Sequence, residues 1–307
     1  MKRRLSKKFI GVLVAFGLIL ATVFIVPRII GTEVEYISSN TTTIIDISLL
    51  NINNDHANMT YTFSYPTFGV DISRHHVVDP NNFVNLITYS PPSGIMRIYT
   101  DIPVAFYIEN DISGDVIIQV FNIREVYDRI LIIDPGHGGY DVGAPVAGAY
   151  ESHIVLAISL YLYQLFQNSD SGIKVFMTRH DDDWVYLRHR SALANNLGDL
   201  FISIHTNTYG DPNVAGTETL FNTTQSISLA QIVQQHLVSE LGTRDRGIIH
   251  RSDLYVLNTT NIPAVFVEVD FKTNQAAFAN LTSSSYQQRV AQALYTAMIE
   301  AFEVIVE

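Results

Sequence analysis

The chain has 307 residues, with 19 Lys and Arg against 30 Asp and Glu, 10 His and no Cys. This length accommodates one large or two ordinary domains, each with a hydrophobic core. Because there is no cysteine, disulfides and thiolate metal sites are excluded, and a zinc site would have to consist of His, Glu or Asp. The formal net charge is −11. Five cations lie in the first eight residues, so the rest of the chain is more acidic still and is a poor candidate for binding nucleic acid.

The N-terminal segment predicts a membrane anchor. Phe9–Val26 is an unbroken apolar run of 18 residues without a charge, and a basic cluster precedes it. As a helix this run would be about 27 Å long, enough to cross a thin hydrocarbon core. The basic residues before it predict that residues 1–31 form a cytoplasmic tail and an uncleaved transmembrane helix, with the rest of the chain outside. A cleaved signal peptide is the alternative.

Residues 32–127 have the pattern of a small all-β domain, in which short apolar or alternating runs are separated by polar residues. The predicted strands are Thr43–Leu50, Met59–Tyr65, Ile95–Thr100, Val104–Ile108 and Asp115–Phe121. The polar run at 53–55 predicts a break. His75 and His76 are followed by Asp79, but adjacent residues on a strand point to opposite faces, so we interpret both histidines as solvated loop residues. Without a catalytic constellation, this domain is expected to act as a spacer or a binding module.

Residues 128–307 alternate between strands and helices. The predicted strands are Ile130–Ile133, Ile173–Thr178, Leu200–Ile204, Thr217–Phe221, Leu254–Leu257 and Ala264–Val269, and the predicted helices are Ser152–Phe166, Val185–Leu197, Ile227–Leu241 and Ser284–Ile305. Strands separated by helices of this length predict an α/β fold, with a mainly parallel sheet flanked by helices. In open sheets of this kind, ligands bind at the carboxyl ends of the strands.

Three polar residues follow predicted strands in this half of the chain. His137, His205 and Glu268 each end a strand, so their side chains are expected along one edge of the sheet, and Glu151 begins the helix after the first strand. Two imidazoles and one carboxylate are the ligand set of many catalytic zinc enzymes, with the fourth position left for water. One of the two glutamates would therefore bind the metal and the other would transfer protons.

The same region resembles a known family in several separated segments. These are Asp134–Ala144, Gly148–Glu151, Thr178-Arg179 with Asp182, Arg190 with Ala194-Asn195, Ser203–Asn207, Arg246-Gly247, and Pro263–Glu268 with Phe271 and Asn274. In this order they resemble the zinc-dependent N-acetylmuramoyl-L-alanine amidases of the Amidase_3 type, which are bacterial cell-wall hydrolases. The resemblance covers the carboxyl-terminal 55–60% of the chain, from Ile130 to Phe302.

The resemblance implies a role for each of the four residues. By position, His137, Glu151 and His205 would be the zinc ligands and Glu268 the catalytic glutamate. The implied substrate is peptidoglycan, cut at the amide between N-acetylmuramic acid and the L-alanine of the stem peptide. The protein would then be an extracytoplasmic enzyme at the cell membrane, or secreted to the wall if the N-terminal segment is cleaved.

The chain departs from the family pattern at two places. Ser152 stands where the family commonly has Lys, and Asp270–Asn274 replaces a run similar to Gly-Phe-Leu-Ser-Asn. Neither change removes a ligand or the proton carrier, so we expect both to affect substrate fit. The segment between Glu151 and His205 also lacks the long inserted helix that covers the zinc in some family members.

Other polar residues near the motifs have two interpretations each. Asn207 would face substrate or cap its loop, and Arg246 would bind a stem-peptide carboxylate or form a surface ion pair. Arg190 and Asn195 are interpreted as structural hydrogen-bonding residues. Trp184 is interpreted as packing at the start of a helix, with stacking on a sugar as the alternative.

Two other functions are compatible with the same residues. A zinc peptidase would use the same ligand set on a different peptide substrate. A catalytically silent wall-binding module would use neither the metal nor the proton carrier, but all four positions are present. The products released from walls would distinguish these functions from the amidase.

Overall fold

The structure is a computed structural model that describes residues 28–30, 33–35, 50–55, 59–65, 74–90, 94–111 and 114–306. The predicted membrane helix Phe9–Val26 lies outside these residues, and so does the predicted strand Thr43–Leu50 except for its last residue. Within the described ranges, no helix combines the length and the apolar character needed to cross a membrane. The chain divides into two compact units, Met1–Asp128 and Arg129–Glu307.

The described part of the first unit consists mainly of β-strands. They are β1 (Arg28–Ile30), β2 (Glu33–Glu35), β3 (Asn51–Asp55), β4 (Thr60–Ser64), β5 (His75–Val78), β6 (Val84–Ser90), β7 (Ile95–Thr100), β8 (Val104–Asn110) and β9 (Val116–Asn122), followed by the short helix α1 (Ile123–Val126). β1 pairs with β2, one antiparallel sheet has the order β3-β4-β7-β6, and a mixed sheet has the order β5-β9-β8.

Alternating side chains of the two larger sheets share one core. Tyr61, Phe63 and Ile98 come from one sheet, and Ile108 and Ile118 come from the other, all almost completely buried. Since successive residues of a strand face opposite sides, one apolar residue in two is enough to build such a core. The alternating sequence pattern therefore produces a small β-sandwich, which agrees with the all-β class predicted for residues 32–127.

The strands that the sequence analysis missed are edge strands. β3 includes the polar run at 53–55 where we predicted a break, and β5 and β6 were not predicted. An edge strand has a neighbour on one side only and tolerates polar residues, so its sequence resembles a loop. The interpretation of His75 as a solvated loop residue is wrong, because it is 4% exposed and its Nε2 lies 2.9 Å from the Tyr65 hydroxyl.

The second unit contains a six-stranded sheet with helices between its strands. The strands are β10 (Arg129–Pro135), β11 (Ile173–Met177), β12 (Leu200–Asn207), β13 (Thr217–Phe221), β14 (Asp245–His250) and β15 (Ala264–Phe271). The helices are α2 (Glu151–Gln167), α3 (Leu187–Leu197), α4 (Ile227–Leu241), α5 (Tyr255–Asn258), α6 (Gln275–Leu281) and α7 (Ser284–Ala301). The order is β11-β10-β12-β15-β13-β14, and every pair is parallel except β13 with β15.

Helices cover both faces of this sheet. On one face, Leu131 and Ile133 of β10 belong to a core shared with α2, α4 and α7. On the other face, Ile132 is fully buried, and an added Cβ at Gly198, directly after α3, would lie 2.8 Å from its side chain. Because β10 is buried on both sides, its sequence is a continuous apolar run. This confirms the predicted α/β fold with a mainly parallel sheet.

Two strand assignments in the second unit differ from the prediction. The segment predicted as a strand at Leu254–Leu257 belongs to the helical turn α5, and the edge strand β14 was not predicted. β14 has a neighbour on one side only, and its polar sequence does not show a buried pattern. Neither difference alters the carboxyl edge of β10, β12 and β15, where the predicted site residues lie.

Candidate metal centre

The loop after β10 presents His137 at the carboxyl edge of the sheet. His137 has a φ of +58°, and Gly138 and Gly139 follow with φ of +129° and +59°. The N–H of Gly138 donates to the carbonyl oxygen of Asp141 at 2.8 Å, so the loop folds back on itself directly after the histidine. The two glycines make this tight turn possible because they adopt positive φ without steric cost.

His137, Glu151 and His205 come together at this edge. Each offers one donor atom, and the three atoms lie within 4.8 Å of one another. Nε2 of His137 is 3.4 Å from Oε1 of Glu151, and Nδ1 of His205 is 3.1 Å from the same oxygen. Two imidazole nitrogens and a carboxylate oxygen therefore surround one point, with the composition that proteins use to hold catalytic zinc.

Neighbouring residues orient the two imidazoles. Nδ1 of His137 lies 2.9 Å from Oδ1 of Asp141, which leaves Nε2 facing the other donors. A Cβ added to Gly136 would lie 2.1 Å from Cε1 and 2.2 Å from Nε2 of His205. Since real Cβ atoms do not approach so closely, the observed position of the His205 ring requires glycine at position 136.

Lys272 is an unexpected neighbour of this group. Its ammonium lies 2.7 Å from Oε2 of Glu151 and donates at 2.7 Å to the carbonyl oxygen of Ala144, and its side chain is fully buried. The other oxygen of Glu151 accepts the Thr206 N–H at 3.0 Å. Each carboxylate oxygen therefore has its own partners. The expectation that residues 270–274 affect only substrate fit is wrong for Lys272, which contacts the candidate ligand directly.

Burial and these contacts shift the pKa values of Glu151 and His205. Burial by itself would raise the pKa of Glu151, but hydrogen bonds from His137 and His205 and the charge of Lys272 hold that pKa below its usual range. Burial lowers the pKa of His205. A charged carboxylate beside a neutral imidazole is the form in which both groups bind a metal ion.

Glu268 faces the same edge but is not part of the three-donor group. It lies opposite His205 in the pairing of β12 with β15. Its Oε2 is buried and has no hydrogen-bond partner among the described residues. Burial, and then repulsion by Glu151 and Glu218, raises the pKa of Glu268 well above its usual value. Such a carboxyl group is suited to taking up and releasing a proton during a reaction.

A buried ion pair holds the backbone of the His137 loop in place. Nη1 of Arg190 lies 2.7 Å from Oδ1 of Asp134, and both side chains are almost fully buried. The same guanidinium donates at 2.6 Å to the carbonyl oxygens of Pro135 and His137. Arg190 is thus a structural hydrogen-bonding residue, in agreement with the sequence interpretation.

A second charged group lies on β13. Glu218 accepts hydrogen bonds at 2.8 Å from the side chains of Asn207 and Arg246, and it lies opposite Glu268 in the antiparallel pairing with β15. Arg246 therefore forms an ion pair, one of its two predicted roles. Glu218 was not among the predicted site residues, although an acidic residue within an otherwise buried strand is unusual.

Comparison with known sequences identifies the family of this unit. Residues 131–300 match the N-acetylmuramoyl-L-alanine amidase family. The Bacillus subtilis protein YqiI, described as uncharacterized, is 39% identical over 171 residues, which are 54% of this chain and 81% of YqiI. The N-acetylmuramoyl-L-alanine amidase LytC of Bacillus subtilis is 32% identical over 182 residues, which are 58% of this chain but only 36% of LytC.

Solved structures show the same relationship. The catalytic domain of the N-acetylmuramoyl-L-alanine amidase CwlV from Bacillus (Paenibacillus) polymyxa var. colistinus has a TM-score of 0.55 and 32% identity, over 57% of this chain and 99% of that domain. The CwlD amidase of Clostridioides difficile, solved in complex with the GerS lipoprotein, has a TM-score of 0.55 and 30% identity, again over 57% and 99%. The family match covers more than half of the chain, and the resemblance seen in its ordered motifs is confirmed: the chain belongs to the N-acetylmuramoyl-L-alanine amidases, the Amidase_3 family of cell-wall hydrolases.

Proposed function

We propose that this chain is a zinc-dependent peptidoglycan amidase. It would hydrolyse the amide that joins the lactyl group of N-acetylmuramic acid to the first L-alanine of the stem peptide. The observation that carries this proposal is the convergence of three donor atoms within 4.8 Å, at the same sheet edge as a buried carboxyl with an unpartnered oxygen. Family membership supports the substrate and the bond.

The three donors suit zinc better than magnesium or calcium. Two imidazoles and one carboxylate match the ligand set of catalytic zinc sites, whereas magnesium and calcium prefer oxygen ligands alone. His137, Glu151 and His205 would hold the ion. Bound zinc would supply a Lewis acid that polarises the amide carbonyl and makes water a better nucleophile.

Glu268 would carry the proton between the two halves of the reaction. As a base it accepts a proton from the attacking water, whose oxygen adds to the amide carbon. As an acid it returns that proton to the departing nitrogen when the C–N bond breaks. The products are a carboxylate on the lactyl group and a free alanine amino group. The raised pKa of Glu268 favours this role because the group binds its proton more tightly than an exposed glutamate does.

Digestion of purified bacterial walls by the zinc-loaded chain tests this proposal. We expect the walls to lose turbidity while new amino-terminal alanine appears in step with the loss. Release of free amino acids from peptides, without new alanine termini on the wall polymer, would instead indicate a zinc peptidase. Binding to walls without cleavage, at full zinc content, would indicate a silent binding module.

Gly136→Ala is expected to weaken zinc binding by about tenfold or more, because the new Cβ would displace the ring of His205. The matched control is Gly210→Ala, since an added Cβ there meets no atom within 4 Å. Competition with a fluorescent zinc chelator measures both affinities. Equal affinity in the two variants would show that His205 is not a zinc ligand in the observed position.

We also propose that Phe9–Val26 anchors the enzyme in the membrane, with the second unit facing the wall. The proposal rests on the sequence of that segment and the basic residues before it. Sodium carbonate extraction of membranes from expressing cells tests it. The full chain should stay in the membrane fraction, and recovery of a shortened chain in the soluble fraction would indicate a cleaved signal peptide instead.

A further inference from the structure

A cluster of three aromatic side chains lies beside the candidate metal centre and has no role in the proposed hydrolysis. Tyr140 is 76% exposed and Tyr186 is 48% exposed, and Trp184 between them is half-buried. We call these three residues the aromatic platform. Single apolar side chains are common on protein surfaces, whereas several large aromatic side chains placed together often mark a binding site.

The rings support one another. The ring centroids of Tyr140 and Trp184 are 4.8 Å apart with 30° between the planes, which is a tilted ring contact. Tyr186 meets Trp184 edge to face, with centroids 3.9 Å apart. Tyr140 therefore packs against Trp184 while most of its surface remains open to solvent. A ring held in this way loses little conformational freedom when a ligand stacks on it.

The platform is continuous with the His137 loop. Tyr140 is three residues beyond His137, and a Cβ added to the intervening Gly139 would lie 3.0 Å from Cβ of Trp184. The Gly139 N–H also donates to Oδ1 of Asp182 at 3.3 Å. Thus one short loop joins the candidate metal ligand to the exposed ring, so the platform is close enough in the chain to contact a polymer bound at the metal centre.

We propose that the aromatic platform is a glycan-binding subsite, on which a sugar ring of the peptidoglycan strand stacks against Tyr140. The polymer named here rests on the proposed amidase function. The C–H groups on one face of a pyranose ring form an apolar surface that matches the electron-rich face of an aromatic ring. Stem peptides of peptidoglycan offer no comparable flat surface, so the sugar is the part of the substrate that fits this platform.

Polar groups around the platform suit the rest of a sugar. The carboxylate of Asp182 and the imidazole of His153 are exposed and lie 3.2 Å apart, and the Arg188 guanidinium lies 4.9 Å from the ring centroid of Tyr186. They offer acceptors and donors to hydroxyl and N-acetyl groups. These groups could hydrogen-bond the polar edge of a sugar whose apolar face lies on the rings.

Trp184 is the only tryptophan of the chain, so its fluorescence reports on the platform. In the full chain, titration with a β-1,4-linked tetramer of N-acetylglucosamine should change Trp184 emission to saturation. Tyr140→Ala should weaken the affinity about five- to tenfold because one stacking contact is lost, and Tyr140→Phe should retain it. Since Tyr140→Ala also alters the surroundings of Trp184, isothermal titration calorimetry should measure the same affinities.

The matched control is Tyr89→Ala, which removes a tyrosine of the first unit that is 46% exposed and should leave the affinity unchanged. No saturable binding of the tetramer by the wild-type chain, or equal affinity in Tyr140→Ala, would overturn the subsite. Self-association that Tyr140→Ala abolishes and the tetramer does not affect would also overturn it, in favour of a second copy of the chain. Tetramer binding without release of alanine termini from walls would refute the proposed amidase function alone.

Discussion

Glu268→Gln is expected to lower kcat on peptidoglycan by about 10²–10⁴-fold while zinc content and folding stay unchanged. Glutamine has nearly the same shape as glutamate but cannot accept the proton of the attacking water or return it to the leaving nitrogen. Glu268 is not part of the three-donor group, so its replacement should leave the metal in place. The rate of alanine-terminus release, zinc content and thermal unfolding of the same preparation measure the three quantities.

Glu218→Gln is the matched control for this prediction. Glu218 lies opposite Glu268 on the neighbouring strand, but its oxygens are already occupied by Asn207 and Arg246. We expect its replacement to lower kcat by less than about tenfold, since it holds no proton for the reaction. A Glu268→Gln enzyme with the wild-type rate, or an equal loss in both variants, would contradict the role of Glu268.

Lys272→Met is expected to lower the free energy of unfolding of the second unit by about 3–5 kcal/mol in the presence of a chelator. The substitution preserves much of the side-chain volume but leaves the buried carboxylate of Glu151 without the ammonium that lies 2.7 Å away. With saturating zinc the loss should be smaller, because the bound ion supplies positive charge to the same carboxylate. Urea unfolding followed by the emission of Trp184, which lies in this unit, measures both values.

The double variant Glu151→Gln with Lys272→Met separates charge pairing from packing. If the ion pair between Lys272 and Glu151 stabilises the unit through its charges, the double variant should lose less free energy of unfolding than Lys272→Met alone, because no uncompensated charge remains. Additive losses, or a Lys272→Met protein within about 1 kcal/mol of wild type, would show that Lys272 only fills space. Arg289→Met controls for loss of a cation, because Arg289 pairs with Glu240 at the surface.

Much of the site was predictable from the sequence because its chemistry follows buried strands. His137, His205 and Glu268 each end an apolar run, and the carboxyl ends of parallel strands meet at one edge. The sequence did not show which glutamate approaches the histidines, and only the resemblance to the amidases assigned Glu151 to the metal. In the structure both candidate imidazoles contact Glu151 within 3.4 Å.

Lys272 could not be interpreted from the sequence in the same way. It lies 121 positions from Glu151, and a lysine after a strand is usually a solvated residue. Its burial depends on how the end of β15 packs against the start of α2. The sequence offered sugar stacking as one role for Trp184, but it did not show that Tyr140, from a separate loop, meets Trp184 in the fold.

The amino-acid sequence by itself determined the structural classes of the two units, the succession of the central strands and helices along the chain, and the residues that reach the carboxyl edge of the sheet. These features follow from the local periodicity of apolar residues and from continuous apolar runs, and both can be recognised within a short window of the sequence. The tertiary structure alone decided the edge strands β3, β5, β6 and β14, the antiparallel pairing of β13 with β15, and the partners of Glu151. Edge strands have little buried surface to leave a pattern, and pairing between distant segments depends on packing that local sequence does not record.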